Sequence, residues 1–590
     1  MRALHRSSAH ANFRCLVLFS VLQQAAFPVQ AQQPPVDSLD TQQLQRQQQR
    51  EDLQRRTQAP TPEAPPPFPA PTGPTRLPTD EAPCTPIRQL QLGGPYADAF
   101  SWLLPAASGD RGDDDPVGRC LGTSGIAVVQ SRLQAMLVRN GYITSRVLVG
   151  SQQVAASGRL VMTVVPGLLH RTLLDAASDT APQRLVLGAV PATPGQPLRL
   201  RDIEHGLENL KRIPNAEADI QIVPADEPDE ADVAAGADPS SGASDLRVHY
   251  RPGRPLRLDL GLDDGGTRST GKRQGTATLS WDNPLGLSDQ LALSLGHSLE
   301  HRDSRGTRSA ALNYSVPWGY WLFGASAARN RYRQSVAGAS QTYVFSGTSD
   351  TADLRVQRVV WRSATARTGV GVRTARRSST SFIDDTEIEV QRRVTALWEI
   401  SVTHRQYFGE AVADAGVTLR QGTGDYGAMR APEEAFGDGS SRMRLVVADL
   451  AYTRPLLWAG QRLRVASAWH GQWNRTPLTP QDRIAIGSRY SVRGFDGESS
   501  LLAERGWFWR NDLGWAVAEG VEAYLGLDAG HVGGPSARLL AGRSLAGGVV
   551  GLRGNRAGLG YDLFVGRPLH KPGSFDTART TVGLQLGYGF

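Results

Sequence analysis

The chain has 590 residues, a formal net charge of +7, 63 glycines, 12 tryptophans and three cysteines. Its length favours several domains, and its 40% hydrophobic residues exclude a chain that is disordered throughout. No stretch has the roughly 18 consecutive apolar residues of a transmembrane helix. The basic residues form no block with interleaved aromatic residues, so a nucleic-acid partner is not expected.

The first segment, residues 1–31, has the features of a secretory signal peptide. Arginines precede a short apolar run at 15–22, and small residues follow up to Ala31, which is the order that export signals use. Its removal would leave Cys84 and Cys120 as the remaining cysteines. An even number of cysteines in an oxidising compartment predicts a disulfide.

Residues 32–58 contain a helix-prone stretch, 37–57, that is polar on every side. Such a helix has no core to join, so it is either disordered or lies in a watery place. Residues 59–83 are rich in proline and predict an extended, stiff linker. Periodicity alone leaves open whether 32–83 is a helix on a linker or a flexible tail.

Residues 84–167 and 168–252 predict two small α+β modules with the same order of elements, in which a strand is followed by a helix and two more strands. The helices are predicted over 124–140 and 200–212, where apolar residues recur every three or four positions. The acidic stretch 226–242 is expected to be a solvated loop, because its acids lack the alternating spacing of a calcium site.

Residues 253–590 predict an antiparallel transmembrane β-barrel. Stretches of about ten residues alternate apolar with small or polar side chains, the pattern of a wall between lipid and a watery lumen. The last stretch shows it best, since alternate residues from Val582 to the terminal Phe590 are apolar. Strands in lipid must close into a barrel because every backbone hydrogen bond has to be made. About sixteen strands fit the segment, and tryptophans near strand ends predict interfacial girdles.

One long connection, 472–504, stands out because long loops without secondary structure are usually functional. It contains Val492-Arg493-Gly494-Phe495, and Arg493 beside a turn glycine could fold inward towards an acid on the lumen wall. Asp528 is a candidate for that acid, because its neighbouring leucines occupy the opposite face of the strand. Spacing alone leaves an ordinary solvent-facing loop equally open.

These segments resemble the TpsB transporters of two-partner secretion, the FhaC/ShlB/HecB-type proteins, within the outer-membrane superfamily that includes BamA and TamA. Val492-Arg493-Gly494-Phe495 matches the VRGF/Y motif of that superfamily, and Leu527-Asp528-Ala529-Gly530 resembles the strand motif whose acid pairs with the motif arginine. Further resemblance covers parts of both modules and of the early barrel, at 141–147, 164–167, 200–210, 282–286 and 314–317.

The resemblance implies a mainly β protein, in which two periplasmic POTRA domains precede a sixteen-stranded outer-membrane barrel. Helix 37–57 would plug the lumen, and Arg493 would pair with Asp528 to hold the loop inside. The function implied is secretion of an unfolded exoprotein, typically an adhesin or haemolysin, whose N-terminal secretion domain the POTRA domains capture. Expected partners are this exoprotein, the barrel assembly machinery during biogenesis and outer-membrane lipid.

Other classes of protein fit less well. The main alternative is an assembly factor of the BamA/TamA type, against which the plug-like helix and the match at 200–210 argue. A passive porin would need neither the modules nor Arg493. An enzyme has least support because the sequence contains no HExxH, GxSxG or CxxC motif, and neither a metal nor a cofactor is expected.

Overall fold

The computed structural model describes residues 76–175, 182–225, 243–300, 304–338 and 340–590. The predicted signal peptide, the polar helix, most of the proline-rich linker and the acidic stretch lie outside these residues. Within the described residues, none of the helices is both long and apolar enough to cross a membrane.

The first α+β module, residues 84–167, packs one helix against a small mixed sheet. Its elements are β1 (Thr85–Pro86), β2 (Gln89–Gly93), a 3₁₀ helix (Ser101–Ser108), β3 (Cys120–Leu121), α1 (Thr123–Arg139), β4 (Arg146–Leu148), α2 (Val154–Ser157) and β5 (Arg159–Val165). The sheet order is β2-β5-β4, with β2 parallel to β5. Helix α1 turns Val129, Leu133 and Leu137 into the core, as its apolar stripe predicts.

Two ties hold the start of this module. Cys84 and Cys120 form a disulfide with their Cα atoms 5.3 Å apart. The carboxylate of Glu81 accepts hydrogen bonds from the backbone N–H groups of Gly122, Ser124 and Gly125 at 2.8, 2.6 and 3.0 Å. These groups lie at the start of α1, where an acid satisfies unpaired donors and the helix dipole. The end of the proline-rich segment is therefore anchored to the module.

The second α+β module, residues 168–252, repeats this plan around its own core. Its elements are β6 (Leu169–Leu174), α3 (Arg184–Ala189), α4 (Leu200–Lys211), β7 (Glu217–Pro224) and β8 (Ser244–Arg251). The sheet order is β6-β8-β7, so β7 is an edge strand. Helix α3 was not predicted, because six residues are too few to show a helical period.

The remaining chain closes into a barrel in which neighbouring strands are antiparallel and follow chain order. Its sixteen wall strands among the described residues are β9 (Leu256–Asp263), β10 (Gln274–Asp282), β11 (Gln290–Ser298), β12 (Gly306–Trp318), β13 (Trp321–Ala337), β14 (Thr342–Arg362), β15 (Ala366–Ile383), β17 (Arg393–Phe408), β18 (Ala411–Thr423), β19 (Arg444–Trp458), β20 (Gln461–Asn474), β23 (Arg505–Ala518), β24 (Val521–Gly533), β25 (Ser544–Arg556), β26 (Leu559–His570) and β27 (Thr581–Gly589). Strand β16 (Thr386–Glu387) extends one hairpin. The sixteen-stranded antiparallel prediction is confirmed.

The two ends of the barrel differ. Short turns lie at the end where the modules join, and long loops lie at the other end. At the short-turn end, a belt of exposed tryptophans sits on the outer wall, formed by Trp281, Trp318, Trp321, Trp361, Trp458 and Trp515. The terminal Phe590 lies at the same end, packs edge-on against Tyr588 and donates its backbone N–H to the Leu258 carbonyl at 3.0 Å. The belt has the position that an interfacial girdle requires.

Candidate functional site

The inside of the barrel is lined by charged side chains. On β24, Leu525 and Leu527 are exposed on the outer face, whereas Asp528 is only 4% exposed and faces inward. This is the alternation that the sequence predicted, since successive side chains on a strand point to opposite faces.

The long connection between β20 and β23 folds into the lumen. It forms a two-stranded sheet of β21 (Ile484–Ile486) and β22 (Leu501–Ala503). Its apolar side chains build a small core with the barrel wall, which includes Ile486, Val492, Phe495, Val532, Leu545 and Phe575. The connection therefore packs against the inner side of the barrel and is not an ordinary solvent-facing loop.

Gly494 is required at the tip of this connection. Its φ of +97° lies in the left-handed region, and a Cβ at this position would lie 2.6 Å from the carbonyl oxygen of Arg567. Gly547 on β25 makes room from the other side, because a Cβ there would lie 1.9 Å from the carbonyl oxygen of Arg493. The tip thus approaches the wall as closely as two glycines permit.

The structure brings Arg493 and Asp528 together. The Asp528 carboxylate accepts hydrogen bonds from the backbone N–H, Nε and Nη2 of Arg493 at 2.9, 2.7 and 2.8 Å. Arg493 is 4% exposed, and its Nη2 also donates to Asp512 on β23 at 2.6 Å. We call Arg493, Asp528 and Asp512 the loop lock. Asp512 was missed in the sequence, where only its inward register on β23 pointed to it.

The loop lock continues into a row of paired charges. Asp512 accepts from Nη1 of Arg553 on β25 at 2.9 Å, and Arg553 also donates to Glu522 at 2.8 Å. Glu522 binds Arg464 of β20 through two further bonds of 2.8 Å. Because Glu522 is the second residue of β24, the row runs from the loop tip to the short-turn end of the barrel.

A second charged cluster joins the second module to the barrel. The carboxylate of Glu208 on α4 accepts two bonds from Arg362 at 2.8 and 2.7 Å and one from Arg367 at 3.1 Å. We call Glu208, Arg362 and Arg367 the module joint. Burial by itself would raise the pKa of Glu208, but the contacts with His205, Arg362 and Arg367 lower it to about 2.

Ring stacking and hydrogen bonds to backbone carbonyls complete the module joint. The ring of His205 stacks on Tyr320 in the turn after β12, with ring centroids 4.5 Å apart. The side-chain amide of Asn209 donates to the carbonyl of Gly319 at 2.9 Å and to that of Ala189 at 2.7 Å. The sequence reading of α4 missed these residues, although His205 and Asn209 are polar side chains on its buried side.

In the described part of the chain, no three His, Cys, Asp or Glu side chains are grouped as they would be around a metal ion. The charged residues of the loop lock, of the row that continues it and of the module joint are instead paired with one another. The arrangement can hold a loop and a domain in place by hydrogen bonds and charge.

Comparison with known proteins shows the family of the chain. A family model described as "Haemolysin secretion/activation protein ShlB/FhaC/HecB" matches residues 242–554, more than half of the chain. The chain belongs to this family. Two POTRA-domain models, one of them the ShlB type, match residues 169–224 and 110–167 in the two α+β modules.

Relatives extend the match over nearly the whole chain. The outer membrane transporter CdiB-2 of Burkholderia pseudomallei (strain 1026b) is 36% identical over 94% of this chain and 96% of its own. The hemolysin transporter protein ShlB of Serratia marcescens is 25% identical over 75% of this chain and 76% of its own. The solved structure of CdiB from Acinetobacter baumannii has 29% identity and a TM-score of 0.79, and it covers 94% of this chain and 99% of its own.

These findings confirm the predicted family, the fold class and the secretion function. The protein is an outer-membrane transporter of the two-partner secretion type, with its POTRA domains in the periplasm. The short-turn end of the barrel is therefore periplasmic and the long loops face outward. The family and the relatives are transporters, and they do not support the alternative of a BamA-type assembly factor.

Proposed function

We propose that the loop lock holds the connection 475–504 inside the pore while the exoprotein is translocated from the periplasm to the cell surface. The hydrogen bonds from Arg493 to two carboxylates carry this proposal, because a buried arginine with this geometry costs several kcal/mol to release unpaired. The small apolar core of the connection supports it, since that core would be exposed if the loop left the lumen.

The exoprotein is captured in the periplasm by strand addition. Strand β7 of the second POTRA domain supports this step, because among the described residues it pairs only with β8 and leaves its other edge open. An open edge offers a row of unpaired backbone donors and acceptors to an extended chain. The secretion domain of the exoprotein is the partner that this edge would bind.

The polar helix predicted at 37–57 plugs the lumen before secretion starts. A helix with no apolar face fits a lumen wall made of paired charges better than it fits a domain core. The linker between it and Leu77, which is buried in the first POTRA domain, could span roughly 60 Å in extended form at about 3 Å per residue. That reach would let the helix leave the pore while its tether stays fixed.

The remaining partners belong to biogenesis and to the membrane. The barrel assembly machinery inserts the chain, and outer-membrane lipid surrounds it. The proposed function needs no catalysis, cofactor or nucleic acid, because it consists of binding the exoprotein, holding the connection in the pore and letting the exoprotein pass.

The decisive test is Arg493→Ala in the full-length transporter. We expect the barrel to insert and to run as a folded, heat-modifiable band, while secretion of the exoprotein falls to background. Arg493→Lys should restore only part of the secretion, because lysine cannot make the two-pronged contact. Arg475→Ala, an exposed arginine of the same connection, is the matched control. Normal export by Arg493→Ala would refute the proposed lock.

The plug is tested by deleting residues 37–57. We expect larger conductance steps in planar bilayers, because removing a helix from the lumen widens the watery path. Deletion of residues 60–71 in the linker serves as the length control. Equal conductance of the deletion variant and the full chain would show that the segment does not fill the pore.

A further inference from the structure

A cavity of about 490 Å³ opens on the outer face of the barrel at its extracellular end. It lies between the ends of β20, β23 and β24 and the loop that leads from β24 to β25. Three of its lining residues are glycines, Gly506, Gly533 and Gly534, which leave space because they have no side chain. Its charged and aromatic lining consists of Trp473, Arg505, Trp507, His531, Arg538 and Arg543.

Three arginines of this cavity have no anionic partner among the described residues. Arg505, Arg538 and Arg543 are all exposed, and no described acidic side chain forms an ion pair with any of them. Glu504, the neighbour of Arg505 in the chain, is buried and bound by the hydroxyl of Ser536 at 2.9 Å. Like charges gathered in one cavity repel one another unless an anion lies among them. This cluster differs from lumen arginines such as Arg493, Arg553 and Arg464, each of which is paired with an acid.

The cavity faces the lipid and not the lumen. Trp507 pairs with His531 across β23 and β24, and Trp507 shares the face of β23 on which Trp509 and Leu513 are exposed. Arg505 is the first residue of β23, so it stands where the outer wall meets the extracellular loops. This is the level of the headgroups in the outer leaflet.

An apolar groove continues from the cavity down the outer wall. The groove has a volume of about 860 Å³ and shares Trp507 with the cavity. Trp469 in the groove also contacts Trp473 in the cavity, with ring centroids 5.7 Å apart. Leu450, Tyr452 and Trp509 form other parts of the groove. A cationic head site and an apolar channel are thus continuous along one face of the barrel.

We propose that this face binds a phosphorylated, acylated glycolipid of the outer leaflet, with phosphate on the arginines and an acyl chain in the groove. Arginine suits a phosphorylated headgroup because its planar guanidinium group can donate two hydrogen bonds to one phosphate. Tryptophan suits the boundary because its ring is apolar while its N–H can reach polar groups. A free anion would use the arginines but would leave the groove empty, and the continuity of the two sites therefore selects a lipid.

The test measures lipid binding to the full-length protein, purified in detergent and stripped of lipid. The probe is bisphosphorylated lipid A, titrated by native mass spectrometry. The variant R505Q/R538Q/R543Q should bind it about tenfold more weakly or worse, because charge-assisted hydrogen bonds are lost. W507A should weaken it as well. The matched variant R273Q/R430Q/R475Q changes three other exposed extracellular arginines and should bind as the unaltered protein does.

Competitors separate the sources of phosphate. Millimolar inorganic phosphate should not displace lipid A from the unaltered protein. Lipid A without phosphate should bind to the unaltered protein as weakly as bisphosphorylated lipid A binds to the triple variant. Binding of the triple variant within about twofold of the unaltered protein, or displacement by inorganic phosphate, would overturn the proposal. Folding is checked by the heat-dependent shift of the barrel on a gel. Should the triple variant fail this check, R538Q in the loop replaces it.

Discussion

The loop lock and the module joint both use arginine and carboxylate, but they differ in how the contact is supported. In the loop lock one arginine serves two acids, and its side chain is 4% exposed. In the module joint two arginines serve one acid, whose side chain is 18% exposed. An apolar core supports the loop lock, whereas a stacked histidine ring and the side-chain amide of Asn209, which donates to two backbone carbonyls, support the module joint.

The difference predicts different responses to mutation. Removing one partner of a buried ion pair leaves an uncompensated charge, which costs about 3–5 kcal/mol. The loop lock depends mainly on Arg493, since the other cation that pairs with Asp528 in the described chain, Arg510, lies farther away at 4.0 Å. The module joint spreads it, because Arg367 remains with Glu208 when Arg362 is lost. The lock is therefore expected to be more sensitive than the joint to the loss of a single arginine.

The largest effect is expected for Asp528→Ala. This change removes three of the hydrogen bonds of Arg493 and should lower the free energy that docks the loop by about 3–5 kcal/mol. Amide hydrogen exchange in residues 484–495, measured in nanodiscs, should accelerate by on the order of a hundredfold or more.

An exposed pair on the same barrel provides the control for this variant. Asp350 accepts two bonds from Arg329 at 2.6 and 3.2 Å, but the arginine side chain is 57% exposed. Asp350→Ala should cost about 0–1 kcal/mol, because water replaces such pairs. If both aspartate variants changed exchange equally, burial would not be what distinguishes the loop lock.

The two regions also differ in how much of them the sequence predicts. The resemblance of the tip motif and of the strand motif around Asp528 to the superfamily implied the pairing of Arg493 with Asp528. Strand alternation had already placed Asp528 on the lumen side, because a strand shows its inward face every second residue. Asp512 obeys the same alternation, but nothing local links it to residue 493. Long-range pairs of this kind depend on strand register, which the sequence does not state.

The module joint was hardly predictable. The apolar spacing of α4 identified Ile203 and Leu210 as core residues, and both are buried. His205 and Asn209 were given no role from the sequence, because their partners, Tyr320 and Gly319, belong to a barrel turn more than a hundred residues away. A helix with two buried faces, one apolar and one polar, is visible only when the second domain is present.

A smaller effect is expected for Arg362→Ala at the module joint. The variant should lose about 1.5–3 kcal/mol of docking energy, as expected for hydrogen bonds to a charged group, while Arg367 keeps the module attached. Spin labels at Gln221→Cys on β7 and Glu410→Cys in a periplasmic turn should give a broader distance distribution. Arg358→Ala, on the same strand but over the ring of Trp321 at 4.8 Å, is the control. An unchanged distribution would show that the contacts of His205 and Asn209, and not Arg362, hold the module joint.

The smallest effect concerns pH at the same joint. Glu208 faces Arg362 and Arg367 of the barrel and His205 and Glu204 of its own helix, and its pKa is lowered from 4.5 to about 2. A carboxylate with a depressed pKa stabilises docking fully above about pH 4.5 and loses this contribution as the pH falls through about 2. The distance distribution between the two labels should therefore be the same at pH 7 and pH 5 and should broaden only below about pH 4.5. Broadening between pH 7 and pH 5 would contradict this prediction and would show that Glu208 does not govern the pH response of the joint.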